Sequence, residues 1–273
     1  MFQQRAYRSS FFSALNILEL IYHATVRSVR KTHGNAIIGL VSSILQTVIL
    51  VAVFYVMFSI LGLRGNAIRG DFLLYIMSGI FLFLTHNKGV GAVMGSEGPT
   101  SAMMNHAPMN TAISITSAAL GALYIQVLAL VVVLFVYHVG FVRIEIMHPA
   151  GAFGMVLLSW FSGVGVGLIF LAAKPWAPGF IGIVSQIYTR ANMIASGKMF
   201  VANSLPGYML AMFDWNPLFH CIDQARGFVF INYNPHYSSV SYPVYVSIVL
   251  IMIGLMGEFY TRRHASASWG AGK

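Results

Sequence analysis

Charged residues are scarce in this sequence of 273 residues. Asp, Glu, Lys and Arg together make up 8% of it, against about a quarter in soluble domains. Hydrophobic residues make up 58%, and the mean hydropathy is +0.75. This composition excludes an ordinary soluble domain and predicts a multi-pass membrane protein. The 7 acidic residues are outnumbered by 16 Lys and Arg. We attribute this excess to cationic cytoplasmic loops and expect no nucleic-acid partner.

Cysteine is nearly absent as well. Cys221 is the single cysteine, which excludes an intrachain disulfide framework and any Cys-rich zinc or iron–sulfur site. The redox compartment cannot be inferred from one thiol.

Complete nucleotide-binding motifs are also missing. The glycines of "KGVGAVMG" fail the G-x-G-x-x-G pattern because Met94 stands where the third glycine is required. The P-loop pattern fails at "ASGKMF" because Asn192 and Met199 replace the required Gly and Ser or Thr. We therefore predict that this chain is not an ATP-hydrolysing enzyme and holds no cofactor. If the protein pumps a substrate with ATP, a separate ATPase chain would bind the ATP and Mg²⁺.

Apolar runs of about 20 residues are abundant, and this length crosses about 30 Å of hydrocarbon. They predict an all-α membrane protein with six transmembrane helices, at residues 37–61, 72–90, 112–137, 151–173, 180–201 and 244–260. An even number of spans places both termini on one side. That side also holds more of the Lys and Arg residues, so we predict cytoplasmic termini.

Residues 1–36 lack the uninterrupted apolar segment of a cleavable signal peptide. Their polar residues instead recur every three or four positions, at Ser13, Asn16, Glu19, His23, Arg27 and Arg30. This spacing predicts an amphipathic helix lying in the membrane interface. The alternative is a helix packed on a soluble partner, because amphipathicity alone does not distinguish the two.

Two longer connections interrupt the spans. Residues 86–110 are polar and punctuated by glycine, which predicts a loop with short helical pieces. Residues 203–242 are rich in Tyr, Phe and Trp, residues typical of membrane interfaces. Here we predict two short re-entrant helices in the outer leaflet, the second beginning at Asn216.

The second of these helices contains "NPLFHCIDQARG", residues 216–227, a concentration of reactive side chains. Asn216 is a favoured N-cap, and Pro217 suits the first helical position. His220 and the neighbouring Cys221 point about 100° apart on a helix, so together with Asp223 they do not converge on a metal. No second carboxylate or histidine is placed to complete a catalytic group. We therefore predict no catalytic or metal site, and a structural helix in which Asp223 and Arg226 are spaced three residues apart.

Two spans carry further signals. The run "SGVGVGLIF" in span four has small residues at the spacing that lets helices pack closely. Span five is the least apolar, and Gln186, Tyr188 and Arg190 fall within it. This predicts that span five lines a hydrated pathway. The alternative for Arg190 is a side chain that extends to the lipid headgroups.

These motifs, with "TRANMIASGKMF", "WNPLFHCIDQARGFVF" and the basic "YTRRHAS" end, resemble the membrane permeases of ABC-2-type polysaccharide exporters, the capsule and O-antigen group. The likeness covers nearly the whole chain and is closest to capsular polysaccharide permeases. It implies that residues 37–273 form one transmembrane domain in the bacterial inner membrane. It further implies a homodimer with two ATPase subunits that moves a lipid-linked polysaccharide to the periplasm. A periplasmic co-polymerase or adaptor and an outer-membrane export protein would complete the system.

The resemblance also assigns regions of the chain. The N-terminal helix and residues 86–110, a cytoplasmic coupling loop, would touch the ATPase through Arg27, Arg30, Lys31, Ser96, Glu97, Thr100 and His106. A periplasmic gate helix would include Asn216, Pro217, His220, Asp223 and Arg226. The substrate path would be lined by Tyr55, Gln186, Tyr188, Arg190, Lys198, Trp215, Phe219 and Arg226. For the path residues, the alternative is an interfacial aromatic belt with cationic anchors.

Two other functions fit the same sequence pattern. An ABC-2-type permease for another lipid-linked or hydrophobic cargo would have this architecture without a long glycan path. An intramembrane glycosyl- or acyltransferase would need a catalytic carboxylate or histidine presented to its substrate.

Overall fold

The computed structural model describes residues 10–33, 36–62, 70–98 and 110–264. This part of the chain is helical, with no strand. The α-helices are α1 (Ser10–His33), α2 (Ala36–Ile60), α3 (Phe72–Met94), α4 (Thr111–Gly140), α5 (Pro149–Ala173), α6 (Pro178–Ala195), α7 (Gly207–Phe213), α8 (Pro217–Val229) and α9 (Ser241–His264). A short 3₁₀ turn, Ala202–Ser204, precedes α7.

Within the described ranges, five helices are long and apolar enough to cross a membrane: α2, α3, α4, α5 and α9. The helix α6 occupies the position of the predicted fifth span, but it is interrupted by polar residues and is not among these five. The count of six spans therefore stays a prediction. The predicted end of span five is wrong, because α6 stops at Ala195 and Gly197 follows in a turn with φ +74°.

The helices α3 and α5 form the centre of the bundle. In the most apolar window of α3, 83% of residues are buried, against 28% in α2 and 22% in α9. The glycines of span four account for the close packing. A Cβ on Gly167 would lie 2.8 Å from the Cβ of Val93 in α3, and one on Gly165 would lie 3.0 Å from the Cβ of Leu250 in α9. These glycines thus allow α3 and α9 to pack closely against the backbone of α5.

Caps fix the beginnings of three helices. Asp71 accepts a hydrogen bond from the Leu73 amide at 2.9 Å, and Asn110 accepts one from the Ala112 amide at 3.2 Å. Asn216 accepts from the Leu218 amide at 3.0 Å, so the predicted start of α8 is confirmed. These side chains satisfy amides that have no partner inside the helix.

The segment 86–110 is partly a helix rather than a loop. Helix α3 continues through its first part to Met94, and His86 is fully buried. A polar residue is tolerated there because both of its ring nitrogens have hydrogen-bond partners, described below. Residues 99–109, which include Thr100 and His106, lie outside the described part of the chain.

Candidate functional site

The helix α8 is embedded in the bundle. Leu218, Phe219, Cys221 and Ile222 are each at most 1% exposed. Leu218, Cys221 and Ile222 pack with residues of α2, α3 and α5 in one apolar core, while Phe219 packs with Phe213 and Ala202. The apolar face of α8 is therefore packed in the core, which positions the polar side chains on the rest of the helix.

Arg226 joins α8 to the turn that follows α6. Its Nη1 donates to the carbonyls of Gly197 at 2.9 Å and Phe200 at 2.6 Å, and its Nη2 donates to the carbonyl of Lys198 at 2.8 Å. The guanidinium carbon lies 4.2 Å from the centre of the Tyr75 ring. A guanidinium is suited to several carbonyls at once because its donors form a planar fork. Arg226 is 1% exposed, so its role in this structure is to hold the turn.

Asp223 faces the segment after α8. It accepts hydrogen bonds from the Tyr233 hydroxyl and from Ser238 Oγ, the latter at 2.6 Å. Burial and the neighbouring Asp223 carboxylate raise the pKa of Tyr233, which keeps this hydroxyl a donor. Asp223 makes no ion pair with Arg226 within 4.0 Å, so the i, i+3 spacing does not produce a salt bridge. The two side chains instead bind different segments: Arg226 binds the turn after α6, and Asp223 binds the segment after α8.

His220 also binds the segment after α8. The Ser239 amide donates to its Nδ1 at 3.1 Å, and its Nε2 lies 2.6 Å from the carbonyl oxygen of Asp214. The acceptor role of Nδ1 places the proton of the neutral ring on Nε2. Burial lowers the pKa of His220, although the Asp214 carbonyl and nearby carboxylates oppose this shift. His220 is thus neutral near pH 7, and it links α8 to Asp214 before the helix and to Ser239 after it.

A chain of buried polar side chains runs from α3 to α8. His86 Nδ1 lies 2.9 Å from Ser162 Oγ and 3.1 Å from the Ser159 carbonyl, both on α5. Its Nε2 lies 2.8 Å from the Tyr188 hydroxyl on α6.

The chain continues from α6 to the cap of α8. The Asn192 amide lies 3.4 Å from the Tyr188 hydroxyl, and Asn216 Nδ2 donates to Asn192 Oδ1 at 2.7 Å. Four helices are therefore connected through side-chain hydrogen bonds inside an apolar bundle. We call His86, Tyr188, Asn192 and Asn216 the polar chain.

Sequence reasoning identified the roles of neither His86 nor Asn192. The available signal was helical spacing: Tyr188 and Asn192 are four residues apart, as are Ser159 and Gly163, the glycine that faces the His86 backbone. Polar residues on one face of an apolar helix indicate a polar neighbour across the interface. The sequence did not show which helix supplies that neighbour.

The residues predicted to line the substrate path lie in two different environments. Lys198, Phe219 and Arg226 are buried inside the subunit, and the Lys198 ammonium lies 3.5 Å from the centre of the Phe83 ring. Gln186, Arg190 and Trp215 are exposed, whereas Tyr55 and Tyr188 are partly buried. The predicted set therefore does not form a single surface. The burial of Lys198, Phe219 and Arg226 argues against their contact with a substrate in this conformation.

The residues predicted to touch an ATPase are only partly described. Arg27, Ser96 and Glu97 line one cavity between α1, α3 and α4, and Arg30 is exposed on α1. The side chain of Lys31, like Thr100 and His106, lies outside the described residues. Contact with an ATPase stays a prediction for the whole set.

Among the described residues, no group of three His, Cys, Asp or Glu side chains is placed to hold a metal ion. Burial raises the pKa of the Cys221 thiol, which is fully enclosed, so the thiolate required of a ligand or nucleophile is disfavoured. In this structure the polar side chains of α8 therefore hold neighbouring segments in place through hydrogen bonds.

Long apolar helices around an internal polar chain define a multi-pass membrane protein. The family model for the ABC-2 type transporter matches residues 19–230, and the chain belongs to this family. Membership makes it a transport permease rather than a catalytic ATP-binding domain, and it implies an ATPase partner. A search of curated proteins gave no match.

Proposed function

We propose that this chain is the permease of an exporter that moves lipid-linked polysaccharide, of the capsular or O-antigen type, across the bacterial inner membrane. It acts as a homodimer with two ATPase subunits, and both termini are cytoplasmic. Family membership supports the permease role. The cargo is proposed from the resemblance of the "WNPLFHCIDQARGFVF" and "SGVGVGLIF" segments to polysaccharide exporters.

Two exposed polar residues of α6, set among the exposed Ile183, Ile187 and Ile194, are the observation that carries the proposal. Of its 18 residues, only Ser185 and Asn192 are buried. Gln186 and Arg190 lie four positions apart, so they share one face, and both are exposed. An Arg facing the hydrocarbon centre costs about 2.5 to 3.5 kcal/mol on insertion scales. A hydrated path bordered by a second copy of the chain removes this cost and would face a polar glycan.

The outer end of the path is proposed to be aromatic. Tyr208 in α7 is 74% exposed, Trp215 between α7 and α8 is 62% exposed, and Tyr245 at the start of α9 is 69% exposed. Exposed aromatic rings bind sugar faces through their apolar surface. The buried side chains of Arg226, Asp223 and His220 would hold this end of the path in place without touching the cargo.

Movement in this scheme begins where α3 meets the predicted coupling loop. A push on that loop displaces α3, and the polar chain carries the displacement to α6 and the cap of α8. The hydrogen bonds of His86 and Asn216 are the supporting observation. The polar chain offers a physical route because it ties α6, which packs sparsely on the rest of the bundle, to α3 and to the cap of α8.

The decisive experiment is reconstitution of the full chain with its co-encoded ATPase in proteoliposomes. We expect ATP-dependent translocation of a lipid-linked glycan, and loss of translocation when the ATPase lacks its catalytic residue. Parallel vesicles would contain a lipid without a glycan. Movement of that lipid alone would replace the polysaccharide assignment with another cargo, whereas glycan or acyl transfer without ATP would indicate an enzyme.

A further inference from the structure

A cavity of about 870 Å³ lies between α1, α3 and α4, with Ser43 of α2 at its edge. Pockets that bind small molecules in proteins have volumes of about 300 to 1,000 Å³. The missing side chain of Gly91 in α3 contributes to this space, because a Cβ added there would meet no described atom within 4 Å. Gly121 of α4 also lines the cavity, but a Cβ there would lie 3.4 Å from Val29 Cγ2 of α1.

The cavity contains an amide that makes no hydrogen bond to the described residues. Both the nitrogen and the oxygen of the Asn87 side chain are shielded from solvent, and neither has a partner in this part of the chain. Folded proteins leave few buried polar groups in this state, because each one costs about 1 to 3 kcal/mol. Asn87 lines the cavity. Its amide therefore indicates an occupant that carries polar atoms.

The charge of the lining favours an anion. Lys88 and Arg27 both line the cavity, and neither lies within 4.0 Å of a described carboxylate. Among the described lining residues, Glu97 carries the one carboxylate. Its backbone amide donates a hydrogen bond to Ser114 Oγ at 3.0 Å, at the end of the cavity where α4 begins. Two cations facing one anion leave a net positive surface beside Asn87.

The position of the cavity points to a lipid rather than a soluble ion. It extends along α4 from Ser114 to Gln126, a rise of about 18 Å at 1.5 Å per residue. The helix α4 has 30 residues, a length of about 45 Å, which exceeds the roughly 30 Å hydrocarbon core. Ser114 stands in the first turn of α4 and Gln126 about half-way along it, so the cavity leads from the end of this span toward its middle, where Ile125 and Gln126 line it.

We propose that this cavity binds an anionic phospholipid from the leaflet in which α1 lies. The phosphate contacts Lys88 and Arg27, the Asn87 amide donates to a phosphate or glycerol oxygen, and one acyl chain lies along Ile125. The lipid fills the space between α1 and the two transmembrane helices and couples their positions. This site does not depend on the identity of the exported cargo.

The test is a lipid titration of the detergent-purified full chain, followed by native mass spectrometry. Phosphatidylglycerol is compared with phosphatidylcholine of the same acyl chains, and with glycerol phosphate as a soluble headgroup. We expect saturable binding of phosphatidylglycerol. Lys88→Gln should weaken it about fivefold, the effect of one basic residue near an anionic lipid surface. Lys88→Arg keeps the charge and should bind nearly as well as the unmodified chain.

A second pair of variants tests the cavity itself. Gly91→Leu places a side chain in the open space and should abolish binding, whereas Gly91→Ala adds one methyl group and should retain it. Equal affinity for the two lipids, or unchanged binding in Gly91→Leu, would overturn the proposal. Equally tight binding of glycerol phosphate would refute the lipid assignment. If Gly91→Leu does not fold, the Lys88 pair decides between these outcomes.

Discussion

The helices α8 and α6 both carry polar residues, but most of those of α8 are buried inside the subunit, whereas two of those of α6 are exposed. In α8, Arg226 and Asp223 are 1% and 2% exposed. Arg226 donates to three carbonyls, with only its Nε lacking a partner among the described residues, and Asp223 accepts two hydrogen bonds. In α6, Gln186 and Arg190 are exposed, and no hydrogen bond ties either to the described residues. A polar group with all its partners inside the subunit stabilises the fold. A polar group that an apolar environment leaves without partners indicates a surface used by something else.

The largest effect on stability should follow Arg226→Ala. The substitution leaves the carbonyls of Gly197, Lys198 and Phe200 without their donor and opens a void beneath Tyr75. Each buried carbonyl left without its donor costs about 1 to 3 kcal/mol, and the void adds to this cost. We expect little folded protein in fluorescence-detected size-exclusion chromatography. Arg143→Ala, on an exposed residue after α4, is the matched control and should behave as the unmodified chain.

A smaller effect should follow Tyr188→Phe, which keeps the ring and removes the hydroxyl from the polar chain. His86 Nε2 and the Asn192 amide then lose a partner, at about 1 to 3 kcal/mol. The melting temperature should fall, and transport should fall further than stability if the polar chain transmits movement. Tyr124→Phe changes an exposed tyrosine of α4 and serves as the control. Unchanged melting and transport in Tyr188→Phe would exclude this role.

The pH dependence of stability should contain a contribution from His220. Burial lowers its pKa below the usual value of 6.5. As the pH falls below about 6.5, the unfolded chain takes up a proton more readily than the folded one, so the folded state loses stability. Above that range the contribution is complete. The melting temperature should drop less between pH 8 and pH 5 in His220→Gln than in the unmodified chain, and parallel curves would contradict the assignment.

The smallest effect on stability should come from Arg190→Ala. Exposed positions without partners usually change stability by no more than about 0.5 kcal/mol. Export of the glycan should nevertheless decrease in proteoliposomes, because the exposed face of α6 loses its cation. Arg190→Lys retains the charge and should retain most of the export. Normal export by Arg190→Ala at a normal protein level would show that this arginine only anchors the helix to the headgroups.

Composition and periodicity were sufficient for the class of fold and for most helix positions. The start of α8 was also predictable, because the Asn216–Pro217 cap depends on local chemistry alone. The partners of the buried polar groups were not. Arg226 binds carbonyls 26 to 29 residues earlier in the chain, and His86 binds a hydroxyl 102 residues away. Such pairings depend on the packing of whole helices, which local spacing does not encode.

The low hydropathy of α6 has a consequence for how the chain enters the membrane. Five described helices are apolar enough to partition into lipid one at a time, and α6 is not among them. Its insertion therefore requires neighbours that are already in place and that accept Tyr188 and Asn192 as hydrogen-bond partners. Since α8 and α9 follow α6 along the chain, we expect the native position of α6 to be reached late, after most of the polypeptide has left the ribosome.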